Sequence, residues 1–513
     1  MNTDKNYEPI PKELFEFAYS GETLHDEKMK TKARGYFADA MLRFKKNKSS
    51  VVAAWIILGL VVFAIVAPLL TPYNIRTDKD TVYTKTGPYV RWIADLDIGI
   101  WDGAVIRESQ NETQMRKWEA IGIETGMEPL IRIVDEKVNK RIDKGQEITY
   151  STYRIETNKY YETGIVYRVL SVAEFEKIQQ WQNETGIQVI YPYVVPEDIS
   201  GIKDNPNIWY QVKDSRGTPV LDDNGDFIPA YSTNKAIEGA EYNSIRVDGD
   251  DGSYIYSARK SGAVQCRVCY YNYYIYLNGH EPMYIFGTNE LGQDLFTAIG
   301  IGARFSIVFA IVVSAINLTI GAIYGAIQGY YGGYVDLTMY YISDVLSGVP
   351  FIVTVTLFQL YLAEKVGVAG SFLFAFVLTG WLGMAALTRK QFYRFKSQEF
   401  VLAARTLGAS DWRLMFKHIF PNSLGTIITS CALIIPGVIG SETTLTYLGI
   451  INLSELVGTS IGVLMAQGQT SMTTAPHAMF YPALFLSLML ICFNLFGNGL
   501  RDAFNPSMRG AED

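Results

Sequence analysis

The sequence predicts a polytopic α-helical membrane protein with six transmembrane helices and an α+β domain inserted after the first helix. Two observations predict this fold class. Apolar runs of roughly 20 residues, long enough to cross a bilayer, recur along the 513-residue chain, and a long polar stretch follows the first run. All but one of the runs are free of charge, so a soluble protein would need a very large polar shell to cover them. The six predicted spans are 51–70, 305–328, 345–363, 366–388, 423–450 and 478–500.

These runs divide the chain into five predicted segments. The first span begins some fifty residues from the start, and no small-residue cleavage site follows it, so we interpret it as a retained anchor. The predicted segments are a polar amino-terminal segment (1–50) with an amphipathic helix over 25–44, the first span (51–70), an α+β insertion (71–284), a domain with five further spans (285–508) and a tail (509–513).

Basic residues predict the orientation of the spans. Four of them, at positions 43, 45, 46 and 48, lie just before or at the start of the first span, and seven occupy the stretch 389–417, whereas 451–477 contains neither lysine nor arginine. Because basic loops stay in the cytoplasm, we expect both termini and the loop 399–422 to be cytoplasmic and residues 71–284 to be extracellular. The prediction is a multi-pass protein of the cell (plasma) membrane.

Acidic residues concentrate in the insertion. The whole chain has a net charge of −7, and the stretch 71–285 holds 32 acidic and 24 basic residues, a net of −8. Nucleic acid is therefore not an expected partner, because its phosphates bind basic surfaces.

Two of the four cysteines form a CxxC sequence in the insertion. Cys266 and Cys269 could form a local disulfide, a redox pair or half of a metal site, but no second CxxC or histidine cluster accompanies them. Zinc is therefore disfavoured, and a disulfide and two inert thiols both remain open. Cys431 and Cys492 lie in predicted spans, where a cysteine behaves as a small apolar residue.

Alternation of apolar and polar residues predicts strands in the insertion at 148–155, 164–170 and 187–195. Ser171 and Glu174 form a capping box that opens a helix ending near Gln182. The stretches 222–226 and 248–252 have turn composition. A calcium loop with Asp248 and Asp250 as ligands is the alternative for the second, and a plain turn is favoured because the distal glutamate is missing.

The stretch 399–422 predicts two short helices joined by a glycine. Gly408 would supply the left-handed residue that ends the first helix, and Ser410 or Asp411 would cap the second, which we expect to run from Trp412 to about 419 and to stop at Pro421. This second helix is amphipathic. It could be gripped by another protein or lie on the membrane surface.

The same stretch resembles a known family. Ala403-Ala404, three further residues, Gly408 and a closing Ile-Phe-Pro-Asn at 419–422 are similar to the coupling-loop signature of ABC importer membrane subunits, most of all the C-type permease of oligopeptide and dipeptide importers, the OppC/DppC group. Leu402 is a departure, because the family usually has glutamate there. That change affects one polar contact and leaves the helix–glycine–helix geometry intact.

Other stretches carry the resemblance in the same order along the chain. They are FGTNELGQDLFTAIGIGARFS at 286–306, GYYGGYVD at 329–336, Pro350 in the third span, and the closing Gly-Leu-Arg-Asp with Asn-Pro at 499–506. The matched parts cover roughly half of the chain, and the insertion lies outside them.

The resemblance implies a type I ABC importer permease that imports oligopeptides. Its implied partners are a second permease subunit of the B type, two cytoplasmic ATPase subunits, an extracellular peptide-binding protein, the peptide substrate and the lipid bilayer. Dipeptides, nickel chelates and glycans remain alternative substrates. The implied ATPase-coupling residues are Ala403, Ala404, Gly408, Ala409, Ser410, Asp411, Trp412, Arg413, Leu414, Met415, Phe416 and Pro421.

Two catalytic sequence patterns are missing from the chain. It contains no GxxxxGK[ST] phosphate loop and no HExxH. We therefore predict a non-catalytic transport subunit with no catalytic or metal residues and no cofactor of its own, so that ATP and Mg would be held by the partner ATPases.

Four residues in the predicted spans are candidates for the translocation path. Glu442 is an ionisable group inside a span, and either lines the path, bonds the partner permease, or pairs with a neighbouring serine or threonine. Asp344 at the start of the third span has the same alternatives. Pro350 and Pro436 could bend their helices and let them pivot.

Two other classes of function compete with transport. One is a membrane-anchored receptor or sensor with a ligand-binding ectodomain, and the other is an ectodomain with enzymatic activity. Co-purification of ATPase subunits would favour the importer.

Overall fold

We describe a computed structural model of the chain, which covers residues 36–75, 77, 80–96, 98–143, 146–193, 210–211, 229–230, 254–453 and 458–504. In chain order the helices are α1 (Tyr36–Lys46), α2 (Lys48–Leu70), α3 (Arg91–Ala94), α4 (Glu112–Thr125), α5 (Val172–Thr185), α6 (Tyr270–Asn278), α7 (Leu295–Tyr331), α8 (Gly333–Ser347), α9 (Phe351–Tyr361), α10 (Ala363–Gly380), α11 (Leu382–Phe395), α12 (Glu399–Thr406), α13 (Asp411–Arg413), α14 (Phe420–Tyr447), α15 (Ile461–Thr470) and α16 (His477–Phe504). The strands are β1 (Ala104–Gln110), β2 (Leu130–Asp143), β3 (Gln146–Asn158), β4 (Ile165–Leu170), β5 (Ile190–Tyr191), β6 (Tyr210–Gln211), β7 (Pro229–Ala230), β8 (Ser257–Lys260) and β9 (Ala263–Cys269).

The membrane part is a bundle of long apolar helices. Among the described residues, five helical segments are long and apolar enough to cross a bilayer, and a bent pair makes a sixth if it is counted as one span. A shared apolar core joins α7, α9, α10, α14 and α16. The polytopic helical fold predicted from the sequence is therefore confirmed.

The third predicted span, 345–363, is bent, as the sequence allows at Pro350. The structure has α8 and α9 in its place, bent by 76° relative to each other. The break falls at Gly348 and Pro350, and Pro350 is the residue that precedes α9. Proline lacks the amide hydrogen that a continuing helix would use, and its ring clashes with the preceding turn, so the helix restarts there.

Small residues let α7 approach α11 closely. At Gly325 and Gly329, four residues apart on α7, an added Cβ would overlap the carbonyl oxygens of Ala385 and Arg389 respectively. Side chains at these two positions would therefore push the helices apart, and we infer that backbone contact sets their spacing.

The insertion contains two larger antiparallel sheets in the described residues. One has the strand order β1-β3-β2, and the other has the order β4-β9-β5, with β8 also paired to β9. The predicted strand 148–155 lies inside β3 and 164–170 nearly coincides with β4. Of the predicted strand 187–195, the structure describes residues 187–193, and within these Ile190–Tyr191 is a strand. Helix α5 begins after Ser171, whose side chain accepts the Glu174 amide as predicted. The predicted turns at 222–226 and 248–252, with the calcium-loop alternative, lie outside the described residues, as do residues 1–35 and the tail.

Tyrosines form the core where the insertion meets the membrane part. Tyr83 and Tyr160 are fully buried, and burial raises the pKa of both phenols well above its usual value. This cluster packs residues distant in sequence against one another. Its buried members are Tyr83, Tyr89, Tyr160, Ile165, Tyr191, Cys269, Tyr270, Tyr271, Tyr274 and Tyr284.

The segment preceding α7 ties the insertion to the membrane helices. Thr86 and Thr288 pair through main-chain and side-chain hydrogen bonds of 2.9 Å. Glu290 accepts the Thr470 hydroxyl at 2.7 Å and lies 3.1 Å from the Lys85 ammonium group. The stretch 286–294 is therefore the joint between the two parts.

Candidate coupling site

The loop between α11 and α14 begins with the short helix α12. Gly408 follows it with φ of +81°, and its amide donates to the Arg405 carbonyl at 3.0 Å. Positive φ is favourable for glycine and strained for other residues, so Gly408 supplies the left-handed residue after the first helix, as predicted.

The second half of the loop differs from the predicted short helix. It begins at α13, widens into a π-helical segment at Leu414–Ile419 and continues directly into α14, so Pro421 does not end it. Phe420 donates its amide to Met415, five residues back. Pro421 stands in the first turn of α14, just after the wider π-helical turn. Proline is tolerated there because the first turn of an α-helix does not need its amide hydrogen.

The apolar residues of this loop divide into two sets. Leu414 and Met415 are buried against their own subunit, beside Ala326, Phe392 and Val401. They therefore anchor the loop rather than face outward.

The exposed set includes Phe400 and Leu402, and its most exposed members are Leu407 and Trp412, with 88% and 64% of their surfaces accessible. Leu407 and Trp412 lie on either side of Gly408. Leu407 is not among the coupling residues predicted from the sequence, because the sequence shows a leucine before Gly408 but not its exposure.

Polar contacts fix the loop to the end of α7. The Tyr330 hydroxyl donates to the Asp411 carboxylate at 2.5 Å, and Arg405 donates to the same hydroxyl oxygen at 3.1 Å. Tyr330 is only 7% exposed. This tyrosine therefore connects α7 to both halves of the loop.

The remaining predicted coupling residues surround these contacts. Exposed ones are Ala403, Ser410 and Arg413, and half-buried ones are Ala404, Ala409 and Phe416. The Phe416 ring packs on the Trp412 ring with centroids 4.1 Å apart. Their role in binding another subunit stays a prediction.

An ionic cluster that the sequence reasoning missed joins α8 to α11. Arg389 donates two hydrogen bonds of 2.6 Å to Asp336, and the Tyr393 hydroxyl donates to the same carboxylate. Asp336 is the last residue of the GYYGGYVD stretch at 329–336, which resembles the family.

Glu442 lies in the packed interior of the membrane part. It is fully buried, and its Oε2 accepts the Ser306 hydroxyl of α7 at 2.7 Å. Its Oε1 has no hydrogen-bond partner among the described residues. This pairing with a serine is one of the alternatives that the sequence left open.

The other candidates for the translocation path are separated in the structure. Asp344 is exposed on α8, whereas Pro436 is buried inside α14, which continues past it as one helix. Pro350 marks the bend before α9. No cavity that we describe brings these residues together with Glu442.

The CxxC cysteines lie on opposite faces of β9. Cys266 packs with Ile178 and Val189, and Cys269 packs in the tyrosine core. Side chains three residues apart on a strand point to opposite faces, so the two thiols cannot bond while β9 is intact. Both are free, and burial raises the pKa of Cys266 to about 12 and that of Cys269 to about 11.

Two protein families match parts of this chain. Residues 319–510 match the family described as the binding-protein-dependent transport system inner membrane component, and residues 35–88 match the N-terminal TM domain of oligopeptide transport permease C. The fold and these matches define a membrane-spanning permease subunit of a transport system.

Sequence relatives narrow the assignment. The chain is 39% identical over 236 residues to the oligopeptide transport system permease protein OppC of Bacillus subtilis (strain 168), covering 45% of this chain and 76% of that protein. It is 38% identical to OppC of Escherichia coli (strain K12), covering 45% of this chain and 74% of the other. It is 37% identical to the dipeptide transport system permease protein DppC of Bacillus subtilis (strain 168), covering 44% of this chain and 69% of that protein. The chain belongs to the C-type oligopeptide and dipeptide permeases, which are membrane subunits of ABC importers.

Solved structures give a weaker match. The MetNI methionine ABC transporter in an inward-facing conformation is similar with a TM-score of 0.34 and 13% identity, over 40% of this chain and 96% of that one. An amino acid ABC transporter gives a TM-score of 0.30 and 13% identity, over 39% of this chain and 90% of that chain. The family assignment rests on the sequence matches.

Proposed function

We propose that this chain is one half of the translocation pathway of an ATP-driven importer of oligopeptides. The observation that carries the proposal is its 39% identity to an oligopeptide permease over 236 residues. A B-type permease would form the other half of the pathway, and an extracellular peptide-binding protein would deliver the substrate. Two ATPase subunits would bind ATP and Mg, because the sequence has no phosphate-binding loop.

The loop 399–422 would couple this chain to an ATPase subunit. Leu407 and Trp412 expose apolar surface at the tip of the loop, and such residues anchor protein interfaces when a partner buries them. Tyr330, Leu414 and Met415 attach the same loop to α7 and α11. A displacement of the tip would therefore be passed to the membrane helices, and ATP binding and hydrolysis would switch them between outward-facing and inward-facing arrangements.

This arrangement requires the orientation predicted from the basic residues. Both termini and the loop 399–422 would be cytoplasmic, and residues 71–284 would be extracellular. The insertion would help to dock the binding protein or shape the entry. Its deletion should weaken binding of that protein, and unchanged affinity would contradict this role.

A pair of double variants tests the coupling proposal. We expect L407A/W412A to insert and fold normally but to lose peptide uptake and co-purification of the ATPase subunits, because both side chains are mostly exposed and the only packing described for them is the contact of Trp412 with the Phe416 ring. L414A/M415A is the matched variant, which should also lower thermal stability, because it removes buried contacts. Unimpaired peptide uptake by L407A/W412A would reject the mechanism. If no ATPase subunit co-purified with the unaltered chain, the receptor alternative would be favoured.

A further inference from the structure

An acidic cavity lies where the insertion meets the start of α7. Its volume is about 270 Å³, below the ~300–1,000 Å³ typical of sites that enclose a whole ligand. It is therefore suited to one end of a ligand. Its lining includes four tyrosines and two aspartates: Tyr73, Tyr270, Tyr274, Tyr284, Asp80 and Asp294.

One carboxylate in this cavity has an unused oxygen. Asp294 is only 3% exposed, and its Oδ2 accepts the amide and hydroxyl of Thr297 at 2.8 and 2.6 Å. Its Oδ1 has no hydrogen-bond partner among the described residues. An unpaired acceptor at this depth is costly, and a donor entering the cavity would remove that cost.

The second carboxylate is held in place by its surroundings. Asp80 accepts the Val82 and Tyr83 amides at 2.7 and 3.2 Å, and the Tyr270 hydroxyl donates to both of its oxygens. No lysine or arginine of the described residues lines the cavity. The two acids therefore lack a cationic partner there.

The tyrosines determine which kind of cation fits. Tyr73 stacks on Tyr284 with ring centroids 4.7 Å apart, and both line the cavity beside Tyr270 and Tyr274. Aromatic faces attract organic ammonium groups, and an ammonium group carries three donors that suit carboxylate oxygens. A hard metal ion would instead need six or more oxygen ligands. No group of three or more acidic, histidine or cysteine side chains in the described part of the chain could hold a metal.

We propose that this cavity binds the free amino terminus of an incoming peptide, with Asp294 and Asp80 as the carboxylates that receive its ammonium group. The inference rests on the proposed function and names a recognition element for its substrate. Burial raises the pKa of Asp294 to about 6, so its carboxyl group remains largely ionised at pH 7.

A neighbouring cavity would accommodate the rest of the peptide. Asn74 and Ile75 line both the acidic cavity and an apolar cavity of about 660 Å³ between α7 and α10. Arg304 lines the apolar cavity. It stands ten residues after Asp294, about 15 Å along a helix, which is close to the length of an extended tetrapeptide. The opposite charges would orient a peptide with its amino terminus at Asp294.

Peptide binding to the purified full chain in nanodiscs tests the inference. The probes are tetra-alanine and N-acetyl-tetra-alanine, measured by calorimetry at pH 7. We expect the acetylated peptide to bind about tenfold or more weakly, because it lacks the ammonium group. Comparing these two peptides tests the role of the ammonium group on the unaltered protein.

Two variants locate the site. D294N should weaken tetra-alanine binding about tenfold and leave the acetylated peptide unaffected, because asparagine still caps α7. E290Q is the control, since Glu290 lies in the same segment outside the cavity. The inference would be overturned if the two peptides bound with equal affinity, if D294N bound tetra-alanine as tightly as the unaltered chain, or if tetra-alanine did not bind at all. Displacement of the peptide by calcium chloride would also overturn it. Co-purification of ATPases, measured separately, would still support the importer.

Discussion

The Tyr330 hydroxyl donates a 2.5 Å hydrogen bond to the Asp411 carboxylate and joins the last turn of α7 to the second half of the coupling loop. Arg405, from the first half of the loop, donates to the same oxygen. One buried side chain therefore positions the loop on both sides of Gly408.

We predict that Y330F loosens this attachment. Loss of the hydroxyl should lower the free energy of unfolding by about 1 kcal/mol and reduce peptide uptake, because the loop loses two hydrogen bonds. Thermal unfolding and uptake in membranes measure the two effects. Y331F is the control, since Tyr331 is 52% exposed and has no such role, and equal effects of both variants would contradict the assignment.

Alanine substitutions at two glycines distinguish the effect of backbone strain from that of side-chain packing. Gly408 and Gly383 both have open space around an added Cβ, but only Gly408 has positive φ. G408A should destabilise the loop by about 1 kcal/mol, whereas G383A, inside α11, should be neutral or stabilising. Thermal unfolding of the two variants checks the difference, and equal behaviour would exclude a conformational role for Gly408.

The pairing of Glu442 with Ser306 predicts an asymmetric response. S306A removes the shorter of two hydrogen bonds to a buried carboxyl group, leaving that of the Thr443 hydroxyl at 3.4 Å, and should cost about 1–3 kcal/mol, while E442Q keeps an acceptor for the serine and should cost less. Thermal unfolding in detergent compares the stabilities of the S306A and E442Q variants. T444A, on the exposed side of the same helix, is the control. A fully stable S306A with strongly reduced uptake would instead favour a role in the translocation path.

The CxxC cysteines should be reduced and slow to react. Both thiols are buried, and their raised pKa values keep them protonated at pH 8, where the reactive thiolate is scarce. Alkylation followed by mass spectrometry should label them only after denaturation. A mass 2 Da lower without reductant would reveal a disulfide and contradict the opposite-face geometry.

Hydropathy was sufficient to predict most spans. The first predicted span, 51–70, lies within Lys48–Leu70, because an uncharged run of that length has few alternatives to crossing a bilayer. The sequence indicated that Pro350 could bend the third span, but not the size of the 76° bend, since a proline within an apolar run either bends a helix or separates two helices. The start of α7 at Leu295 was also missed, because its first turns contain small and polar residues.

The local pattern predicted the loop but not its buried face. Leu414, Met415 and Phe416 are all apolar, and only the packing against α7 and α11 decides that the first two are covered. The Asp336–Arg389 pair lies 53 residues apart in sequence, too far for a local pattern to indicate.

Site-specific photocrosslinking at position 407 tests the central claim most directly. A photoreactive residue replaces Leu407 at the loop tip or, as a control, the exposed Val169 in the insertion, and whole cells are irradiated. The proposed function predicts an adduct between position 407 and an ATPase subunit, and none between position 169 and that subunit. An adduct of position 407 with an extracellular protein, or an ATPase adduct only from position 169, would contradict the proposed coupling and orientation.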